Sequence, residues 1–226
     1  MLLAVKADTD GGLLEHILAA AAAAAAEPDA EPVTVRLCGW REHTRLLRTG
    51  EADAALMFEP YDPGGIDADV VAVEPRVAAL PADHALAGAP RVRLADLGIG
   101  PEEADERAER DIGELGVHDL AQLLALIGLG ATMTVLPRSV AARYPRQAVA
   151  YVPIEDCPPA RLVIAWPERS RSRGVAALVR AATAAAESRG MGTAVEAPRP
   201  GLTAAGDRGT VSTPDDRQGT SSYGSP

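Results

Sequence analysis

Apolar residues along the first ninety positions change their spacing several times, and each change marks an element. Leu2–Val5 is a continuous apolar run that enters the polar turn Asp8-Thr9-Asp10-Gly11-Gly12, and it reads as a first strand. Leu13, Leu14, Ile17 and Leu18 then repeat at helical spacing, and the stripe runs on through alanines 19–26 to Glu27, where Pro28 and Pro32 stop it. Val33, Val35 and Leu37 alternate with Thr34 and Arg36, the period of a strand with one more polar face. Leu46 and Leu47 close the apolar face of a helix over 41–49, and Gly50 stands where a helix C-cap wants a residue free to take positive φ. Ala54–Phe58 does not alternate, which suits a strand buried on both faces. Pro60, Pro63, Gly64 and Gly65 break it, and two apolar segments, 70–73 and 77–80, follow before Pro81. Strand-helix-strand-helix-strand predicts a parallel sheet with right-handed crossovers. Residues 46–88 then leave that sheet and enter another.

The second half is plainer. Residues 90–97 are a connector. The charge-dense stretch 102–114 spaces Glu103 from Arg107 and Glu106 from Arg110 by one helical turn, the mark of a solvated helix face. Leu120, Leu123, Leu124 and Ile127 keep helical spacing behind Asp119 as an N-cap, and Gly128 and Gly130 end that helix. Strands are expected at 132–136, 149–154 and 161–166. Val175, Leu178, Val179 and Ala182 then give a closing amphipathic helix, with Ser172 at its cap. Residues 191–226 are rich in Gly, Pro, Ser and Thr without apolar periodicity, and they read as a disordered tail.

Composition narrows the function. The chain has 226 residues, ample for a sizeable core, but only 3% aromatics, so packing rests on Leu, Val and Ala. A net charge of −10 argues against a nucleic-acid surface. Cys38 and Cys157 stand in no metal or redox spacing, which favours a reduced, cytoplasmic setting. The eight alanines at 19–26 are too few for a membrane span, and Asp8, Asp10 and Glu15 spoil a secretory signal, so no membrane partner is expected. His16, His43, His84 and His118 are scattered, and no metal is expected. No serine occupies a nucleophile elbow. Gly128-Leu129-Gly130 lacks the third glycine and the following helix of a dinucleotide site, so no cofactor is expected either. The basic run Arg169-Ser170-Arg171-Ser172-Arg173 reads as a loop into the last helix, not as a phosphate contact. Nothing here makes an enzyme.

Four segments carry a resemblance. Leu47, Gly50, Asp53 and residues 54–56 look like the "L..G..D.al" signature of the LysR-type transcriptional regulators. Residues 78–87, AALPADHALA, resemble that family's "l.lp..HPLA", with Ala85 where proline is usual. Residues 128–137, GLGATMTVLP, are similar to its "GlGia.lP" segment, and 165–180 to its last strand and helix. The resemblance covers residue 2 to about 187 and concerns the effector-binding domain alone. It implies an α/β fold of two Rossmann-like lobes of the type-II periplasmic-binding-protein kind. Lobe I would take residues 1–74 and 151–190, lobe II residues 75–150, with the tail at 191–226 outside both. The crossings would fall near 59–73 and 151–159. The stretch 88–117 is shorter than in the family. The family's N-terminal winged helix-turn-helix is absent from this chain, and DNA would be bound only through it.

At the carboxyl end of the first strand, Ala7, Asp8 and Thr9 occupy the place where ligands gather in open α/β sheets. The resemblance assigns this turn to effector contact, together with Phe58 and Glu59 after the third strand and His118 and Asp119 before the lobe II helix. Asp8, Thr9 and Asp10 equally suit a helix cap, and the two roles are compatible. Three carboxylates about one cleft (Asp8, Glu59 and Asp119) favour a cationic or hydroxyl-rich effector over an anion. The expected function is effector sensing for transcriptional control, with a small-molecule effector and a second copy of the chain as partners. The alternatives are a stand-alone type-II solute-binding protein or an enzyme on the same two-lobe fold.

Overall fold

A computed structural model describes residues 1–6, 12–24, 32–39, 42–104, 107, 110 and 114–190. The turn 7–11 and the tail 191–226, on which expectations were placed above, lie outside the described residues.

A five-stranded sheet is built from β1 (Leu2–Val5), β2 (Thr34–Leu37), β3 (Ala54–Phe58), β4 (Ile66–Glu74) and β8 (Ala160–Pro167), in the order β2-β1-β3-β8-β4. β1 pairs parallel with both β2 and β3, as the alternating strand and helix pattern requires, while β8 runs antiparallel between β3 and β4. One face carries α1 (Leu14–Ala24) and the last helix, α5 (Arg173–Ser188), packed against each other. Alanines take part in the core beneath them. Ala182, Ala185 and Ala186 of α5 and Ala21 of α1 share a core with Leu3, Leu56 and Ile164.

The other face carries α2 (Glu42–Thr49), whose Leu46 and Leu47 pack on Ala4, Ala55 and Val163. Gly50 ends α2 at φ 73°, where a side chain would be strained. Asp53 explains part of the signature around it. Its carboxylate accepts from Leu2 N–H at 2.6 Å and its own N–H donates to the Leu2 carbonyl at 2.9 Å, which fixes the register of β3 on β1.

A second sheet holds β6 (Thr134–Pro137), β5 (Arg76–Pro81) and β7 (Val149–Pro153) in that order, all pairings antiparallel. A single parallel bridge, Val92 to Ile154, extends it, and a 3-10 turn at Leu94–Leu97 follows. α3 (Leu120–Gly128) covers one face with Leu120, Leu123, Leu124 and Ile127, the four residues spaced for it. Gly128 lies so close to Ala148 that an added Cβ would come within 2.9 Å of the Ala148 Cβ.

Three expectations need correction. The first crossing is not spread over 59–73, because Ile66–Glu74 is a strand of the first sheet and the chain changes sheets at Pro75. Tyr151, expected to begin the return, still belongs to a strand of the second sheet, and the return lies between Pro153 and Ala160. β6 starts at Thr134, not at 132. The sequence also gave no sign of α4 (Arg138–Arg143), which follows β6 directly. In the charged stretch, Arg107 and Arg110 are helical, and Arg110 pairs with Glu103 at 3.7 Å.

Candidate functional site

The place to look is where the two sheets meet, and the pleat of β3 organises it. Consecutive strand residues face opposite ways. Leu56 joins the core under α1 and α5, and Met57 joins the core under α2. Phe58 returns to the α1 side, where it packs against two cores at once: that of the first sheet and that of α3 in the second. It is the side chain that joins them there. Val117 and Leu120, which flank His118 and Asp119, belong to the same α3 core.

The N-terminus of α3 is built by short-range hydrogen bonds. The Asp119 carboxylate accepts from Gln122 N–H at 2.8 Å, and the Gln122 side-chain oxygen accepts from His118 N–H at 2.7 Å. Asp119 is thus the expected cap, and its charge sits favourably at the positive end of the helix. Phe58, on the side where α1 packs, thus touches the core to which Val117 and Leu120, the neighbours of His118 and Asp119, belong.

Glu59 faces the other way from Phe58. The pleat turns it to the α2 side, and its carboxylate pairs with Arg161 at 3.0 Å. Its N–H also donates to the Arg161 carbonyl at 3.0 Å, continuing the β3–β8 ladder. Ala7, Asp8 and Thr9 lie outside the described residues, although Leu13 and Ile17 put the following helix on the Phe58 side.

Residues that the sequence reading did not assign to a site also cluster at the carboxyl edge of the first sheet. Lys6 and His43 are buried there, and Cys38 is half-buried. Burial, then the nearby Lys6 charge, lowers His43 to about 4, so the ring is neutral at pH 7. Burial, then the Glu42 carboxylate, pushes the Cys38 thiol up to about 11, so it stays protonated and a poor nucleophile. This edge offers packing and fixed polarity, not nucleophilic chemistry. No group of three or more His, Cys, Asp or Glu side chains suits a metal ion among the described residues.

The junction itself is tied by the crossings. Ser139 donates from its N–H at 2.7 Å and its hydroxyl at 2.6 Å to the two oxygens of Glu74, the last residue of β4. Arg138 N–H donates to the Pro75 carbonyl at 3.0 Å. The N-terminus of α4, which has no cap of its own, is thus held by a carboxylate from the first sheet. A distant partner supplies the cap, which explains why local sequence did not reveal this helix.

Comparison with known proteins gives the arrangement its context. The LysR substrate binding domain family matches residues 14–99. No curated protein matches the chain in sequence. Among solved structures, the effector-binding domain of a BenM variant aligns at a TM-score of 0.65 and 17% identity, over 85% of this chain and 96% of that one. The BenM effector-binding domain with its effector benzoate gives 0.62 and 16%, over 85% and 94%. Full-length CbnR in complex with target DNA gives 0.56 and 21%, over 83% and 70%. Residues 14–99 are thus similar to the LysR substrate binding domain, and the described residues have the two-sheet α/β fold of the LysR-type effector-binding domains.

Proposed function

We propose that this chain is the effector-sensing, regulatory part of a LysR-type transcriptional regulator, and that it is not an enzyme. The observation that carries the reading is Phe58, which packs on the cores of both sheets beside the capped N-terminus of α3. A ligand held between Phe58, His118, Asp119 and the turn Ala7-Asp8-Thr9 would contact both sheets at once. It would shift the angle between them only by binding one arrangement more tightly than the other. The two lobes are then residues 1–74 with the return strand and helix, and the second-sheet residues between the crossings.

With Glu59 paired on the other side, the repulsion of anions rests on Asp8 and Asp119. A screen must therefore span both signs of charge, and the benzoate bound by BenM puts small carboxylates in it. Self-association is proposed through the outer face of α1, where Glu15, His16, Ala19, Ala22 and Ala23 are exposed. CbnR was solved with its target DNA, and contact with DNA is proposed here only through a winged helix-turn-helix outside this chain. Among the described residues no helix is long and apolar enough to cross a membrane, and we place the protein in the cytoplasm.

The test is a thermal-shift screen of cationic, hydroxyl-rich and anionic metabolites, repeated on Thr9→Val and Phe58→Ala. A true effector at a hundred times its Kd adds about 2.7 kcal/mol of stability. For a chain this size that raises Tm by roughly 5–10 °C. Thr9→Val should lower the shift while leaving the ligand-free Tm nearly unchanged. A ligand that stabilises the wild type and both variants equally places the site elsewhere.

A further inference from the structure

The chain leaves the first sheet for the second with almost no slack. β4 ends at Glu74 and β5 begins at Arg76, so Pro75 alone lies between them. The proline ring fixes its own φ and holds Glu74 before it to extended backbone. Past that point the chain belongs to the second sheet. Arg138 N–H donates to the Pro75 carbonyl at 3.0 Å, and Ile154 N–H to the Arg76 carbonyl at 3.3 Å. The return is tied in the same way. Glu155 N–H donates to the Val92 carbonyl at 2.9 Å, and the Asp156 carboxylate accepts from Leu94 N–H at 2.8 Å. Pro158 and Pro159 then lead into β8. A change of angle between the sheets therefore has its pivots at Glu74-Pro75 and at Pro158-Pro159.

Glu74 stands on the first pivot and is bound from both sides. Its backbone pairs with Ala160 of β8 in the first sheet. Its carboxylate takes the N–H of Ser139 at 2.7 Å and the hydroxyl at 2.6 Å, both from α4 beside the second sheet. Rotation about Glu74-Pro75 carries Ser139 with the second sheet and draws both donors off the carboxylate together. Two opposed effects act on the group. The Ser139 bonds favour the angle seen here. Burial raises the Glu74 carboxyl above its ordinary value in spite of those bonds and the Arg138 charge, so the ionised group gains hydration when the pivot opens. A contact balanced in this way can be made and broken.

We infer that Glu74 and Ser139 form a latch across the pivot between the two sheets, which holds them at one angle and frees them when its two hydrogen bonds break together. The latch belongs to the chain without ligand. Its consequence, that a ligand which alters the angle must break these bonds, rests on the effector-sensing reading; the latch itself does not.

The test measures amide residual dipolar couplings of the full chain without ligand and fits the two sheets separately. In wild type one alignment tensor should serve both sheets. Glu74→Ala removes both bonds, and the tensors of the two sheets should then differ in magnitude and orientation. Ser139→Ala removes the hydroxyl alone and should lower the ratio of latched to open chains roughly ten- to a hundredfold, separating the tensors in the same sense. Glu74→Gln keeps a partner for each Ser139 group and should retain the single tensor. That rescue separates a latch from the mere loss of a buried side chain. Couplings within each sheet report whether a variant folds, and Ser139→Ala decides the matter if Glu74→Ala does not. The inference fails if wild type already needs two tensors, or if the folded alanine variants keep one. It fails equally if Glu74→Gln separates the sheets as far as Glu74→Ala does.

Discussion

The tie between Glu74 and Ser139 makes a sharp prediction because its two halves differ in sign. Glu74 is 8% exposed and accepts two hydrogen bonds, both from Ser139. Burial raises its carboxyl above the ordinary 4.5, while the Ser139 bonds and the charge of Arg138 pull it down without cancelling the effect. A carboxyl raised in the folded state holds its proton more tightly there than in the unfolded chain. Its contribution to stability is therefore full below about 4.5 and is lost as pH rises through the raised value. At neutral pH the ionised group costs stability, and the two Ser139 donors offset part of that cost.

Removing a donor and removing the charge should then act oppositely. Ser139→Ala leaves one carboxylate oxygen without its hydroxyl, at a cost of about 1.5–3 kcal/mol at pH 7. For a chain of this length that is a fall in Tm of roughly 3–12 °C. Glu74→Gln keeps a carbonyl for the Ser139 N–H and an amide for the hydroxyl oxygen, and it removes the buried charge. It should be neutral or mildly stabilising at pH 7 and nearly silent at pH 4. Urea unfolding of wild type and both variants at pH 4, 5.5 and 7 measures this directly. If Glu74→Gln loses more than about 1 kcal/mol at pH 7 while Ser139→Ala loses nothing, the carboxylate is held by its charge and the capping argument is wrong.

Three further outcomes are expected. His43, lowered to about 4 by burial, should be fully stabilising above about 6.5, with that stability lost as pH falls towards 4. Denaturation curves of His43→Gln should show a shallower acid limb, the difference reaching up to about 3 kcal/mol. Asp119→Ala removes the cap of α3 and should cost about 1 kcal/mol in chemical denaturation, against a few tenths for Asp119→Asn. Gly128→Ala presses a methyl against Ala148 and should cost about 1–3 kcal/mol, whereas Gly128→Ala with Ala148→Gly should recover most of it in a double-mutant cycle.

What the sequence revealed depended on whether the cause of each element was local. β3 and α3 could be read directly, because one is a doubly buried run and the other an apolar stripe behind its own cap. β4 was half missed for a local reason read the wrong way. Ile66, Ala68 and Val70 alternate with Asp67 and Asp69, as suits an edge strand with one wet face, and the register shift between Val70 and Ala72 then breaks the period. The helix at 138–143 had no local signal at all, since its cap comes from Glu74, 65 residues earlier.

The site follows the same division. The cap at Asp119 is a three-residue relation, and it was visible. The pairing of Glu59 with Arg161 joins residues 102 positions apart and was not. Yet the facing of Glu59 is legible locally. Ala54, Leu56 and Phe58 share a parity along β3, and Glu59 has the other. A strand read as buried on both faces already requires its neighbours to point apart. Phe58 and Glu59 could not both face one cleft unless the strand ended between them, and the hydrogen bond from Glu59 N–H to the Arg161 carbonyl carries the pairing past that point. The same alternation that divides the supposed site therefore gives the junction two faces. On one, Phe58 meets the core under α3; on the other, Glu59 pairs with Arg161.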